Sequence, residues 1–218
     1  MYSVKEIFLT LQGEGGQAGL PAVFVRFSGC NLWSGLERDR AAAVCKFCDT
    51  DFIGTDGTGG GKFKTAQDLA QAIKSHWPQG QGEMWAVMTG GEPLLQLDDA
   101  LIAACHAEGI RVAVETNGTI AAPDGIDWLC VSPKANAKIV QTSGHELKLV
   151  YPQAENNPQD YEHMDFTIFS LQPRDDRFLK GNDNEFAGSP HRESAITYCL
   201  AHPKWRLSLQ THKWMDIP

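Results

Sequence analysis

The feature that most constrains this fold is a succession of short apolar runs, most of which leave on small or polar residues. Ala22–Phe27, Trp85–Met88, Arg111–Val114, Trp128–Val131, Glu146–Val150, Phe166–Phe169 and Arg206–Leu209 are rich in β-branched and aromatic side chains and predict strands. Most are almost continuously apolar, as in a parallel sheet covered by helices. Five exits stand out: Thr89-Gly90-Gly91-Glu92-Pro93, Glu115-Thr116-Asn117-Gly118, Ser132-Pro133-Lys134, Gln172-Pro173 and Gln210-Thr211-His212. In parallel α/β folds the C-terminal strand ends form the ligand face, so these exits predict the active site.

Three helices are legible between the strands. Thr65-Ala66-Gln67-Asp68 is a capping-box variant followed by Leu69, Ile73 and Trp77 at helical spacing. Asp98 and Asp99 suit a first turn, Leu101, Ile102 and Cys105 follow, and Gly109 marks a stop. Ser189-Pro190 is an N-cap with Pro at the first helical position, for a helix through Ile196 and Leu200 that stops before Pro203. Strands alternating with helices predict an α/β fold with right-handed crossovers. Roughly seven strands with only three good helices suggest an incomplete barrel rather than eight full units. The Gly-rich Gly54–Lys62 has no strand before it and no helix opening on it, so it is read as a flexible loop and not a phosphate loop. Arg174–Ser189, rich in Asp, Asn and Gly, is read as a second loose region.

With 218 residues the chain is read as one domain, 1–218. A formal charge of −8 argues against a general nucleic-acid surface. No apolar run is long enough to span a bilayer, and the start lacks the marks of a signal peptide. The expected location is the cytoplasm. Six cysteines are then thiols rather than a disulfide framework. Cys105, Cys130 and Cys199 are scattered and read as small buried hydrophobes.

The other three form the pattern C-x14-C-x2-C: Cys30, after Arg26-Phe27-Ser28-Gly29, then Cys45-Lys46-Phe47-Cys48. Thiolates select zinc, Cu(I) or iron–sulfur centres. A structural zinc site closes with four protein ligands, and no second C-x2-C or H-x3-H pair is present. A [4Fe–4S] cluster held by three cysteines leaves one iron open. S-adenosylmethionine needs such a position, because its amino and carboxylate groups chelate the free iron. Spacing by itself leaves both cluster and zinc open.

Thr89-Gly90-Gly91-Glu92-Pro93 resembles the GGE motif of radical S-adenosylmethionine enzymes, and Phe47 before the last cysteine matches their pattern. Fourteen residues between the first two cysteines depart from the usual three. Lys5–Gly15, Arg26–Trp33, Cys48–Asp51, Glu115–Gly118, Val131–Lys134 and Leu209–Lys213 resemble the 7-carboxy-7-deazaguanine synthase family, a subset of which has a long cluster loop, here about residues 30–48. The resemblance runs over nearly the whole chain and is weakest in Arg174–Ser189.

The resemblance implies a reduced partial (β/α) barrel of about six parallel strands and three helices, with the active site at the C-terminal strand ends. It implies radical ring contraction of 6-carboxy-5,6,7,8-tetrahydropterin to 7-carboxy-7-deazaguanine with loss of ammonia, for queuosine-type 7-deazapurine synthesis. No side-chain acid or base is expected, since a cofactor radical carries the chemistry. The implied cofactors are a [4Fe–4S] cluster on Cys30, Cys45 and Cys48, S-adenosylmethionine, and Mg2+ on Thr50, with Asp49 and Asp51 as tuning neighbours. S-adenosylmethionine would meet Phe47, Gly91, Glu92, Ser132, Pro133, Lys134, Gln172, Pro173, Arg174 and Asp175, with Glu115 on the ribose hydroxyls. The pterin would meet Leu11, Gln12, Gly13, Glu14, Thr89, His212 and Pro218, with Arg26 on its carboxylate. The expected partners are a second copy in a homodimer and an electron donor such as flavodoxin or ferredoxin. Two alternatives carry their own expectations: an activase that makes a glycyl radical on a partner protein, and a zinc-stapled binding module.

Overall fold

The structure is a computed structural model that describes residues 1–78, 82–175 and 189–218. Its strands are β1 (Tyr2–Leu11), β2 (Pro21–Phe27), β3 (Gly61–Phe63), β4 (Met84–Gly90), β5 (Ile110–Thr116), β6 (Trp128–Val131), β7 (Ser143–Tyr151), β8 (Asp165–Pro173) and β9 (Trp205–Leu207). The α-helices are α1 (Ala66–Ser75), α2 (Asp99–Ala107), α3 (Pro190–Ala201) and α4 (Thr211–Met215). One 9-stranded sheet runs in the order β3-β1-β2-β4-β5-β6-β7-β8-β9. From β2 onward to β9 each pair is parallel, while β1 pairs antiparallel with both β2 and β3. The α/β partial barrel is therefore present. Its parallel part has seven strands where the resemblance implied about six, and two antiparallel strands border it.

The capping expectations hold in detail. Thr65 Oγ1 accepts from Asp68 N at 3.1 Å while the Asp68 carboxylate accepts from Thr65 N at 3.1 Å. Asp98 caps α2 through Leu101 N at 2.9 Å, and Ser189 caps α3 with Pro190 next in line. Three elements escaped the sequence reading. β1 carries a bulge between Val4 and Glu6, so Tyr2, Val4 and Ile7 reach the core out of simple alternation. The Gly-rich loop ends in β3, too short to declare itself. The five residues of α4 cannot display helical periodicity. The last strand also ends at Leu207, short of the expected Leu209. Of the loose Arg174–Ser189 segment, residues 176–188 lie outside the described residues.

The sheet has two unlike faces. Val23, Val25, Phe27, Met88, Val112, Val114, Leu147, Leu149 and Leu171 pack with Leu69 and Ile73 of α1, Leu101 of α2 and Ala195 of α3 into the main core. Residues one position along point the other way. Ala22, Val87 and Ala113 form a small cluster edged by Phe24, Trp85 and Trp128, which no helix residue joins. Further along this second face, toward the C-terminal strand ends, stand Glu115, Glu146 and Lys148. No helix among the described residues is long and apolar enough to cross a membrane.

Candidate active site

A cavity of about 940 Å3 opens at the C-terminal ends of the parallel strands, where the sequence placed the ligand face. Cys30, Cys45 and Cys48 line one wall together with Phe47, Thr50, Gly91 and Lys134. Two backbone turns meet there. Glu92 N donates to the Gly29 carbonyl at 2.9 Å, and Gly91 N to the Phe27 carbonyl at 3.2 Å. A Cβ on Gly91 would lie 1.9 Å from the Gly29 oxygen and 2.9 Å from Cys30 Cβ, so only glycine lets the exits of β2 and β4 close on each other.

The fourteen-residue insert is itself folded. Trp33 meets Phe52 edge-to-face at 5.6 Å, and the Arg40 guanidinium lies 4.1 Å over the Trp33 ring. Arg40 Nη1 donates to the carbonyls of Lys46 and Cys48 at 3.1 and 3.0 Å, so one side chain holds both sides of the C-x2-C turn. The Cys45 thiol donates to Cys48, which lowers the Cys48 thiol to about 6 against the drag of burial. Burial raises Cys30. Three thiols on one wall, with a glycine cradle beside them and a lysine near the Cys45–Cys48 pair, suit an iron–sulfur cluster with one position left for S-adenosylmethionine. Among the described residues, no three His, Cys, Asp or Glu side chains converge as a single-ion site.

Glu92 does not reach the cavity wall. It is fully buried, and its carboxylate accepts from Leu94 N at 3.0 Å, Thr116 Oγ1 at 2.7 Å and Asn117 N at 2.8 Å, tying the exit of β4 to that of β5. Ser132 and Lys134 line the cavity, with Lys134 Nζ 2.8 Å from Ser132 Oγ. Pro133 instead turns its carbonyl toward Gln153 and Asn156. Gln172, Pro173, Arg174 and Asp175 also line the cavity. Arg174 Nη2 lies 3.2 Å from His191 Nε2, and Asp175 accepts from Lys213 Nζ at 2.7 Å.

The residues expected on the pterin divide. Glu14 and Thr89 line the cavity. Gln12 lies just behind the wall, its Nε2 3.3 Å from Glu115 Oε1. The Gly13 carbonyl accepts from Thr211 N at 2.9 Å, and a Cβ there would strike His212 Nδ1 at 2.3 Å, so half-buried His212 is packed on Gly13. Leu11 pairs with Pro21 at the end of β1, away from the cavity. Arg26 is paired with Glu6 at 2.7 Å, on the face of β1 and β2 that carries Phe8. Thr10 Oγ1 donates to the Pro218 carbonyl at 3.1 Å, which places Pro218 on β1. Thr50 lines the cavity, while Asp49 pairs with Lys213 at 2.7 Å and Asp51 with Lys5 at 3.2 Å.

Sequence reasoning missed Lys148. Its Nζ lies 2.7 Å from Glu14 Oε2 and 2.9 Å from Glu115 Oε2, and its side chain is 5 % exposed. Burial opposes the charge on Glu14, but the Lys148 ammonium, with Gln210 Nε2 at 2.9 Å, holds that carboxyl down at about 2. Burial lifts the Glu115 carboxyl; Lys148 opposes the rise, and Glu14 and Glu146 add to it. Burial also works against Lys148, and the two carboxylates outweigh it and keep the ammonium protonated. The signal was in the strand: Glu146 and Lys148 put two charges on one face of an otherwise apolar run.

No protein-family model matches the chain. A protein of Caulobacter vibrioides named 7-carboxy-7-deazaguanine synthase is 62% identical over 217 residues, covering 100% of this chain and 99% of its own. A Bordetella pertussis protein of the same name is 58% identical over 217 residues, with 100% and 99% covered. Among solved structures, QueE from Escherichia coli superposes with a TM-score of 0.67 at 23% identity, over 95% of this chain and 93% of that one, a shared fold.

Proposed function

The chain belongs to the 7-carboxy-7-deazaguanine synthase family, and from that premise we propose how its residues share the reaction. That reaction is the radical ring contraction of 6-carboxy-5,6,7,8-tetrahydropterin to 7-carboxy-7-deazaguanine with loss of ammonia. The observation that carries the assignment is identity along the full chain to proteins of that name, joined to a cavity where three cysteines and the Gly-Gly turn meet. When bound, the iron–sulfur cluster and S-adenosylmethionine would supply the radical chemistry that starts the reaction at C6 of the substrate.

The chain's own residues bind, orient and enclose. Cys30, Cys45 and Cys48 would hold the cluster. Gly91, Ser132, Lys134 and the Gln172–Asp175 segment would bind S-adenosylmethionine, and Glu14, Gln12 and Thr89 the pterin. Positioning of this kind lowers the barrier without an acid or base. Anaerobically reconstituted enzyme should be brown, hold about four irons per chain, and convert the substrate without consuming S-adenosylmethionine. Accumulation of 5′-deoxyadenosine in step with product would overturn the catalytic use of that cofactor.

Four finer assignments belong to the same reading. Thr50 is the Mg2+ ligand. The support is that lysines occupy Asp49 and Asp51 on either side, leaving the hydroxyl on the cavity, and Mg2+ takes few protein oxygens. Thr50→Ala should abolish Mg2+ stimulation, and retained stimulation would refute the role. A second copy covers the helix-free sheet face, supported by half-buried Phe8, Phe24, Trp85 and Trp128; light scattering at a single-chain mass would refute it. A flavodoxin- or ferredoxin-type donor feeds the cluster, supported by exposed Arg38 and Lys46 on the cluster loop. The whole chain, 1–218, is proposed to act as one domain, supported by a single sheet from Tyr2 to Leu207.

A further inference from the structure

We propose that Lys148 is a positioning residue that sets substrate choice: by bridging Glu14 and Glu115 it aims their remaining lone pairs at the N–H edge of the substrate's 2-amino-4-oxopyrimidine head. The inference rests on the synthase reading of the cavity and goes beyond it, because the family resemblance gave this lysine no role.

The three groups come from separate elements: Glu14 from the turn after β1, Glu115 from the end of β5, and Lys148 from β7; the proposal puts Glu115 on the substrate in place of the ribose hydroxyls. All three line the cavity rather than the core. Each contacting carboxylate oxygen already has one donor. Glu14 Oε2 and Glu115 Oε2 accept from Lys148 at 2.7 and 2.9 Å, Glu14 Oε1 from Gln210 at 2.9 Å, and Glu115 Oε1 from Gln12 at 3.3 Å. A carboxylate oxygen has two acceptor directions, so one remains on each Glu14 oxygen; the Cys130 thiol takes a further direction on Glu115, which keeps one.

Two carboxylates against one ammonium leave this patch net negative and rich in acceptors. An aminopyrimidinone presents ring N–H and exocyclic amine donors side by side, a fork that fits carboxylate geometry as a guanidinium does. Replacing the exocyclic amine by oxygen removes a donor and turns an acceptor toward the two carboxylates, an unfavourable contact. A purely architectural ion pair would instead be replaceable by apolar groups at little loss.

The test uses the reconstituted holoenzyme with S-adenosylmethionine bound, and compares titrations of the carboxytetrahydropterin with its 2-oxo analogue. Wild type should prefer the amino compound by about tenfold to a hundredfold. Lys148→Met should lose that preference and raise KM for the pterin by a similar factor, with cluster absorption and S-adenosylmethionine affinity unchanged, and Lys148→Arg should recover most of it. The double variant Glu115→Gln with Lys148→Met leaves no unpaired cation or facing carboxylates. It should regain thermal stability without regaining the preference, and it carries the test if the single variant does not fold.

A preference that persists in Lys148→Met, or returns in the double variant, overturns the proposal. So does equal binding of both compounds by wild type, or a joint fall in pterin and S-adenosylmethionine affinity. If wild type fails to turn over the pterin at all, the synthase reading itself falls, which is a separate result.

Discussion

At the cysteine end of the cavity the walls touch through main chain: the Gly91 backbone abuts the Gly29 carbonyl, and amide bonds stitch the exits of β2 and β4. At the opposite end the walls touch through ionised side chains, with Lys148 between Glu14 and Glu115. The first end is assembled from residues close to their own strand exits and is held by steric fit. The second needs three elements spread over more than half the chain and is held by charge balance. Steric fit fails abruptly when an atom is added. Charge balance fails with pH.

The largest effect should come from the first end. Gly91→Ala forces a methyl against backbone that cannot move without parting two strands, and should cost about 3 kcal/mol or more. Denaturant unfolding and iron content check this together. A variant that keeps wild-type stability and four irons would break the contrast.

The second end should show itself in acid. The Glu14 carboxyl sits at about 2 when folded against an ordinary 4.5. A depressed carboxyl contributes stability that is present above the unfolded value and lost as pH falls through the folded one. The window is therefore pH 4.5 down to about 2, with a loss of up to about 3 kcal/mol if the pair stayed fully coupled. Glu115, shifted upward by burial, works in the opposite sense near its own titration. Glu14→Gln should flatten this acid limb in pH-dependent unfolding, and an unchanged limb would show that the charge is already lost in the native state.

A smaller effect sharpens the comparison at the cluster loop, where a side chain rather than main chain does the holding. Arg40→Ala removes the ring contact with Trp33 and two carbonyl bonds, a partly exposed set worth about 1–2 kcal/mol. The expected reading is faster cluster loss to a chelator together with a lowered unfolding midpoint. Equal cluster lifetimes would reduce the insert to a passive loop.

Legibility in the sequence follows the same division. The strands at Ala22–Phe27, Trp85–Met88 and Trp128–Val131 and the caps Thr65, Asp98 and Ser189 were readable because periodicity and capping act over a few residues. β1 was not, because its bulge shifts the apolar positions mid-strand. That Cys45 and Cys48 would share one turn was readable because C-x2-C spacing keeps two thiols close; all three cysteines line the cavity. The Glu14–Lys148–Glu115 bridge was not, because strand alternation shows that Lys148 faces away from the helices but not which distant carboxylates meet it there. Arg40 was hidden for a related reason: its partners are a ring and two carbonyls, which leave no mark in side-chain spacing.

The buried acid of the Gly-Gly-Glu turn has a consequence for anyone reshaping this pocket. Its carboxylate accepts from Leu94, Thr116 and Asn117 and lies behind the cavity lining, so it behaves as a keystone under the floor. Redesign can work on the lining side chains one by one. Replacing Glu92 would instead slacken two neighbouring strands at once and tilt both flanks of the chamber, a change of frame that new furnishings on the wall could not correct.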